Sequence, residues 1–110
     1  MPHIRMRGLP EEAVADISRH LLDELANLCG TKAENFTLEW IPSRSYRSGE
    51  LELGFTQVEV LWFPKDRQTH HRVEQLIRQA VGRAHPGLER LAVMFFTLDP
   101  CAYYRDGQHF

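Results

Sequence analysis

Residues 55–63 read Phe55-Thr56-Gln57-Val58-Glu59-Val60-Leu61-Trp62-Phe63. Val58, Val60 and Trp62 fall on one side of an extended chain and Gln57, Glu59 and Leu61 on the other, the period of two that marks a strand. Downstream, Pro64-Lys65-Asp66 interrupts the pattern, and the Asp66 carboxylate suits a helix N-cap. Val73, Leu76, Ile77, Ala80 and Val81 then recur at helical spacing as one apolar stripe. His85-Pro86-Gly87 closes that helix, and Leu91 to Leu98 reads as another strand.

Upstream the same order occurs once more. In residues 2–7, Pro2, Ile4 and Met6 alternate with His3, Arg5 and Arg7, which predicts a half-buried strand. Gly8-Leu9-Pro10 breaks it, and Glu11-Glu12 open a helix where acidic side chains suit the positive end of the dipole. Val14, Ile17, Leu21, Leu25 and Leu28 predict one amphipathic helix, ended by Gly30. Phe36 to Ile41 is a strand stopped by Pro42, and Ser43 to Gly54 reads as a polar loop with room for a short strand at Glu50 to Leu53.

The halves superpose. Ile17, Leu21 and Leu25 match Val73, Ile77 and Val81 at an offset of 56, and Phe36, Leu38 and Trp40 match Leu91, Val93 and Phe95 at 55. Residues 1–110 are therefore expected to form a single domain, a pseudo-repeat of 1–42 and 55–98 with a loop at 43–54 and a tail at 99–110. Because βαβ crossovers keep one hand, two such units predict an α+β fold, a four-stranded mixed sheet with both helices on one face. That face would carry Ile4, Met6, Leu38, Trp40, Val58, Val60, Val93 and Phe95. The other would carry His3, Arg5, Arg7, Thr37, Glu39, Gln57 and Glu59 beside Leu61, Met94 and Phe96. It is either a solvated face with charge pairs across strands or one turned toward a symmetry axis.

Composition narrows the function classes. The chain has 110 residues and a formal net charge of −2, without the basic excess of a nucleic-acid partner. No apolar run approaches the roughly 20 residues of a membrane span, and the first residues lack the apolar core of a signal peptide, so a cytoplasmic protein with no membrane partner is expected. Cys29 and Cys101 have no metal-ligand spacing and read as reduced thiols. His70 and His71 are adjacent, about 100° apart on a helix, and do not form a chelating pair. No glycine-rich phosphate loop is present, so neither metal nor cofactor is expected. A chain this short disfavours a deep cleft of its own making, and a site shared between subunits is the natural alternative.

Pro2 carries the most distinctive chemistry. If Met1 is removed, the chain begins with a secondary amine on a rigid ring. An α-amino group titrates near 7.7–8.0 in peptides, and burial lowers that value, which suits a general base near neutral pH. If Met1 stays, the nitrogen is an amide and cannot act so. The bland alternative is that Pro2 starts an edge strand, where its missing N–H costs nothing.

The Pro2 start, the acidic helix opening, the doubled βαβ unit, Gly30-Thr31-Lys32-Ala33-Glu34-Asn35-Phe36, and Ile41-Pro42 with its loop to Gly49 together resemble the tautomerase superfamily. The length fits its fused-repeat branch, typified by macrophage migration inhibitory factor. The stretches Val58-Glu59-Val60-Leu61-Trp62-Phe63 and Tyr103-Tyr104-Arg105-Asp106-Gly107-Gln108-His109-Phe110 are similar to a small bacterial family of unassigned function within it.

The resemblance implies a homotrimer with pockets between subunits and a cofactor-independent keto–enol tautomerase or isomerase of a small 2-oxo or enol carboxylate. Pro2 would be the general base and acid, and Lys32 would match the branch's pocket lysine to within one residue. The branch's tyrosine and asparagine on the fourth strand fall on Ala92 and Met94, and no arginine follows the first strand. Arg44, Arg47, Tyr103 and Tyr104 are the remaining candidates for substrate binding. The alternative is a non-catalytic trimeric binding or scaffold protein of the same fold. A monomeric ferredoxin-like regulatory or RNA-binding domain fits less well, because the aromatic RNP pattern is missing.

Overall fold

The structure is a computed structural model, and it describes residues 2–110. Strand β1 (His3–Arg7) leads into helices α1 (Glu11–Ile17) and α2 (Leu21–Cys29) and then β2 (Thr37–Ile41). A hairpin of β3 (Ser45–Arg47) and β4 (Glu50–Glu52) follows, then β5 (Phe55–Trp62), α3 (Arg67–Ala84) and β6 (Arg90–Thr97). The tail adds a small hairpin, β7 (Tyr104–Arg105) with β8 (Gln108–His109).

The main sheet runs β2-β1-β5-β6. β1 is parallel to β2 and β5 to β6, while β1 and β5 join the two βαβ units antiparallel. Register places the helix-side residues in rows. Ile4 lies between Leu38 and Val60, Met6 lies between Trp40 and Val58, and the rows continue through Val93 and Phe95. Ile4, Met6, Val58 and Val60 have no exposed surface, and they pack with Val14, Ile17, Leu21 and Leu25 and with Val73, Ile77 and Val81. The predicted core face is thus the observed one.

The open face pairs its charges across strands. Arg5 lies 3.4 Å from Glu39, and Arg7 donates to Glu59 at 2.5 Å. The Arg7–Glu59 pair is diagonal, two residues off the register that sets Arg7 against Gln57.

Three expectations need correction. The first helical stretch is two helices rather than one. Ser18 turns its hydroxyl back to the Ala15 carbonyl at 2.6 Å, and the Arg19 and His20 amides bond three residues back, to Asp16 and Ile17, so the turn tightens and breaks. The stripe survives because Ile17 and Leu21 lie on both sides of the break and are both buried.

The loop after Pro42 is a hairpin, turned by Ser48 and Gly49 with φ of 53° and 82°. Asp106 and Gly107 turn the tail hairpin in the same way, with φ of 53° and 83°. Two consecutive positive φ values match the twist of paired strands. Finally, β1 is an inner strand, so Pro2 does not begin an edge strand.

Candidate functional site

Pro2 is buried at the N-terminal end of β1, and its carbonyl accepts the Thr37 amide at 3.2 Å. One residue beyond the last register pairs, it stands level with Phe36 on β2's side and Trp62 on β5's side. Both neighbours are buried, and the Trp62 ring lies 4.9 Å from each of the His70 and Phe95 rings. The Trp62 indole N–H is buried and, among the described residues, has no hydrogen-bond partner. Met1, on whose removal the chemistry of Pro2 depends, lies outside the described residues.

On the opposite face at the same end, His3 joins two elements. Its Nδ1 lies 2.5 Å from the Thr37 hydroxyl and its Nε2 lies 2.8 Å from the Tyr103 hydroxyl. Tyr103 stands edge-on to Phe63 at 5.6 Å and to Phe110 at 5.1 Å between centroids, and the Phe110 amide bonds back to the Pro100 and Tyr103 carbonyls. Burial pushes the His3 imidazole below its ordinary value. Arg105 and Arg5 act in the same direction, and Glu39 opposes them. The sequence assigned His3 only to the polar side of a strand. Its partner lies 100 positions away, and no spacing rule connects them.

The other candidates divide between the two ends of the sheet. Lys32 is exposed in the turn before Ala33–Asn35, on the Pro2 side, because the chain enters β2 there. Among the described residues it has no ion-pair partner. Arg44 and Arg47 lie past the far end of β2, about 17 Å away for five residues of strand. Arg47 is tied to Glu52 at 3.1 Å, and Arg90 holds the same carboxylate at 2.6 Å. Those bonds, Arg90's first, draw the Glu52 carboxyl below its ordinary value. Tyr104 is largely exposed and packs on His109 rather than on the Tyr103 cluster. One chain therefore places Pro2, His3, Tyr103 and Lys32 at one end of the sheet, with His3 and Tyr103 on the open face, and Arg44 and Arg47 at the other, while Tyr104 stands apart from the Tyr103 cluster. Ala92 and Met94 sit half-buried on the open face opposite Gln57 and Glu59.

At the Arg44 end, one chain also forms an open cleft of about 690 Å³, which the size argument did not anticipate. Leu9, Trp40, Leu51, Leu53 and Phe55 line it, with Arg44 among its polar groups. The Trp40 indole N–H is not free in this cleft, because it donates to the Leu9 carbonyl at 2.8 Å.

Among solved structures, the chain is similar to a DUF1904 domain from Sebaldella termitidis, at 32% identity, full coverage of both chains and a TM-score of 0.93. It is also similar to a protein of unknown function from Vibrio cholerae, at 36% identity over 99% of this chain and 87% of that one, with a TM-score of 0.87. Two further likenesses concern the fold alone. One is a macrophage migration inhibitory factor homologue from Prochlorococcus marinus, 18% identical over 98% of each chain, with a TM-score of 0.78. The other is fused 4-OT, described as an asymmetric trimer, 12% identical over 97% and 94% of the chains, with a TM-score of 0.79. No curated protein matches. The α+β architecture read from the sequence, two βαβ units sharing a four-stranded mixed sheet, is thus the fold these structures share with the chain. The model of the family described as domain of unknown function DUF1904 matches residues 1–109, and the chain belongs to that family.

Proposed function

We propose that, with Met1 removed, this protein is a cofactor-independent keto–enol tautomerase of a small 2-oxo or enol carboxylate, with Pro2 as the base and acid. The observation that carries the reading is the place of Pro2, buried at the end of an inner strand and level with Phe36 and Trp62. An amine in such surroundings favours its neutral form. Its lone pair takes the proton from the carbon next to the carbonyl, and the C–H electron pair becomes the enolate double bond. The resulting ammonium returns the proton to oxygen, and the reverse sequence makes the ketone.

Lys32 stands at the Pro2 end and would hold the substrate carboxylate, while Tyr103 would donate to the carbonyl oxygen. Arg44, Arg47 and Tyr104 could contribute only from a neighbouring subunit. That arrangement fits a homotrimer, the assembly described for fused 4-OT. The proposed setting is the cytoplasm.

Ala92 and Met94 favour a second reading, a trimeric binding or scaffold protein without chemistry, because neither side chain offers a polar group to a substrate. Intact mass of native protein, sedimentation, and an aryl-pyruvate enol assay of wild type against Pro2→Ala separate the two. Loss of Met1, a trimeric mass and a rate abolished by Pro2→Ala are expected. Retained Met1, or equal rates, would overturn the tautomerase reading.

A further inference from the structure

We infer that His3 is a positioning residue of the Pro2 site: it gives its Nε2 hydrogen to the Tyr103 oxygen, so that the phenolic hydrogen of Tyr103 is free to meet an oxyanion formed beside Pro2. The inference rests on the reading of Pro2 as the base.

A neutral imidazole has one donor and one acceptor, and each hydroxyl can play either part. The two contacts, 2.5 Å at Nδ1 and 2.8 Å at Nε2, therefore allow two hydrogen-bond chains. In one, Tyr103 gives its only hydrogen to Nε2 and Nδ1 gives its own to Thr37, which leaves no donor for a ligand. In the other, Thr37 gives its hydrogen to Nδ1, Nε2 donates to Tyr103, and the phenolic hydrogen is free. An anionic oxygen near Tyr103 selects the second chain, because only that chain offers it a hydrogen.

The place suits this role. His3 follows Pro2 in the chain, with the two Cα atoms about 3.8 Å apart. Thr37 is fastened to the same strand end, since its amide donates to the Pro2 carbonyl at 3.2 Å. Phe63 and Phe110 hold the Tyr103 ring edge-on from two sides. Burial disfavours a second proton on His3. β6 offers Ala92 and Met94, neither able to polarise a carbonyl, so a donor here has to come from another element. The tail supplies one in Tyr103.

The test is a double-mutant cycle with the aryl-pyruvate enol as probe. Tyr103→Phe is expected to lower kcat by about 10²–10³, the usual loss for one oxyanion donor, with KM little changed. His3→Leu should lower kcat to a similar extent, and the double variant should be no slower than either single one, because His3 acts through Tyr103. His3→Gln, whose amide offers an N–H in place of Nε2, should recover most of the rate. With an enolate analogue bound, ¹⁵N NMR of the His3 ring should show the hydrogen on Nε2. A hydrogen on Nδ1, additive losses, or wild-type kcat in Tyr103→Phe would overturn the inference while a dead Pro2→Ala leaves the reading of Pro2 standing. Full activity in Pro2→Ala, or no rate above buffer in wild type, removes both.

Discussion

The His3 imidazole and the Tyr103 hydroxyl meet at 2.8 Å across 100 residues of chain. The bond ties the last dozen residues to the first strand, and Phe63, from the end of β5, packs against both Tyr103 and Phe110. The tail is thereby pinned to the start of β1 and the end of β5.

Tyr103→Phe keeps the ring contacts and removes the bond, for a loss of about 1 kcal/mol. Hydrogen exchange at residues 100–110 should quicken while α3 keeps its protection. Unchanged exchange in the tail would show that the rings alone hold it.

Acid acts on the protein in two windows. The His3 value is lowered by folding, so its contribution is fully present above the ordinary imidazole value of about 6.5. It declines as pH falls below that point, because the unfolded ring takes a proton that the folded ring resists. Glu52 and Asp66 are also lowered, Glu52 chiefly by its bond from Arg90 and Asp66 by the Thr69 amide, so their contributions go only at lower pH. Denaturant midpoints from pH 7.5 to 5 should fall in wild type. They should flatten in His3→Gln, which leaves the more acidic limb in place.

Gly8 and Gly82 should respond oppositely to alanine. Gly8 has φ +83°, and a Cβ there would collide with the Phe55 carbonyl oxygen, so Gly8→Ala costs at least the roughly 1–3 kcal/mol of backbone strain. Gly82 lies within α3 with open space around it, and Gly82→Ala should gain up to about 1 kcal/mol. Thermal unfolding of the two variants checks both signs.

Ile77 is wholly buried on α3 in the core beneath the sheet. Ile77→Ala should cost about 2–5 kcal/mol, read as a shift in urea midpoint with little change in slope.

The four main strands, the α3 stripe, the repeat and the core face were legible in the chain because each rests on a local period. Alternation over Gln57 to Trp62 and helical spacing from Val73 to Val81 are visible within a few residues, and the burial of those side chains agrees. The break at Ser18 was not legible, since the apolar stripe crosses it and only a hydroxyl turned back on Ala15 betrays it. The short strand expected at Glu50 to Leu53 is present as β4, but its partner at Ser45–Arg47 is too short to show a period. The Asp106-Gly107 pair, by contrast, is a hairpin-turn signal legible in the chain itself.

By itself, then, the sequence determined the two βαβ units and singled out Pro2, because periodicity and a residue's own chemistry are properties of the chain. Tertiary structure alone decided that β1 is an inner strand, that Arg44 and Arg47 lie at the far end from Pro2, and that His3 meets Tyr103. Those facts depend on how distant segments close on one another, and a contact between residues 3 and 103 leaves no periodic trace in the chain.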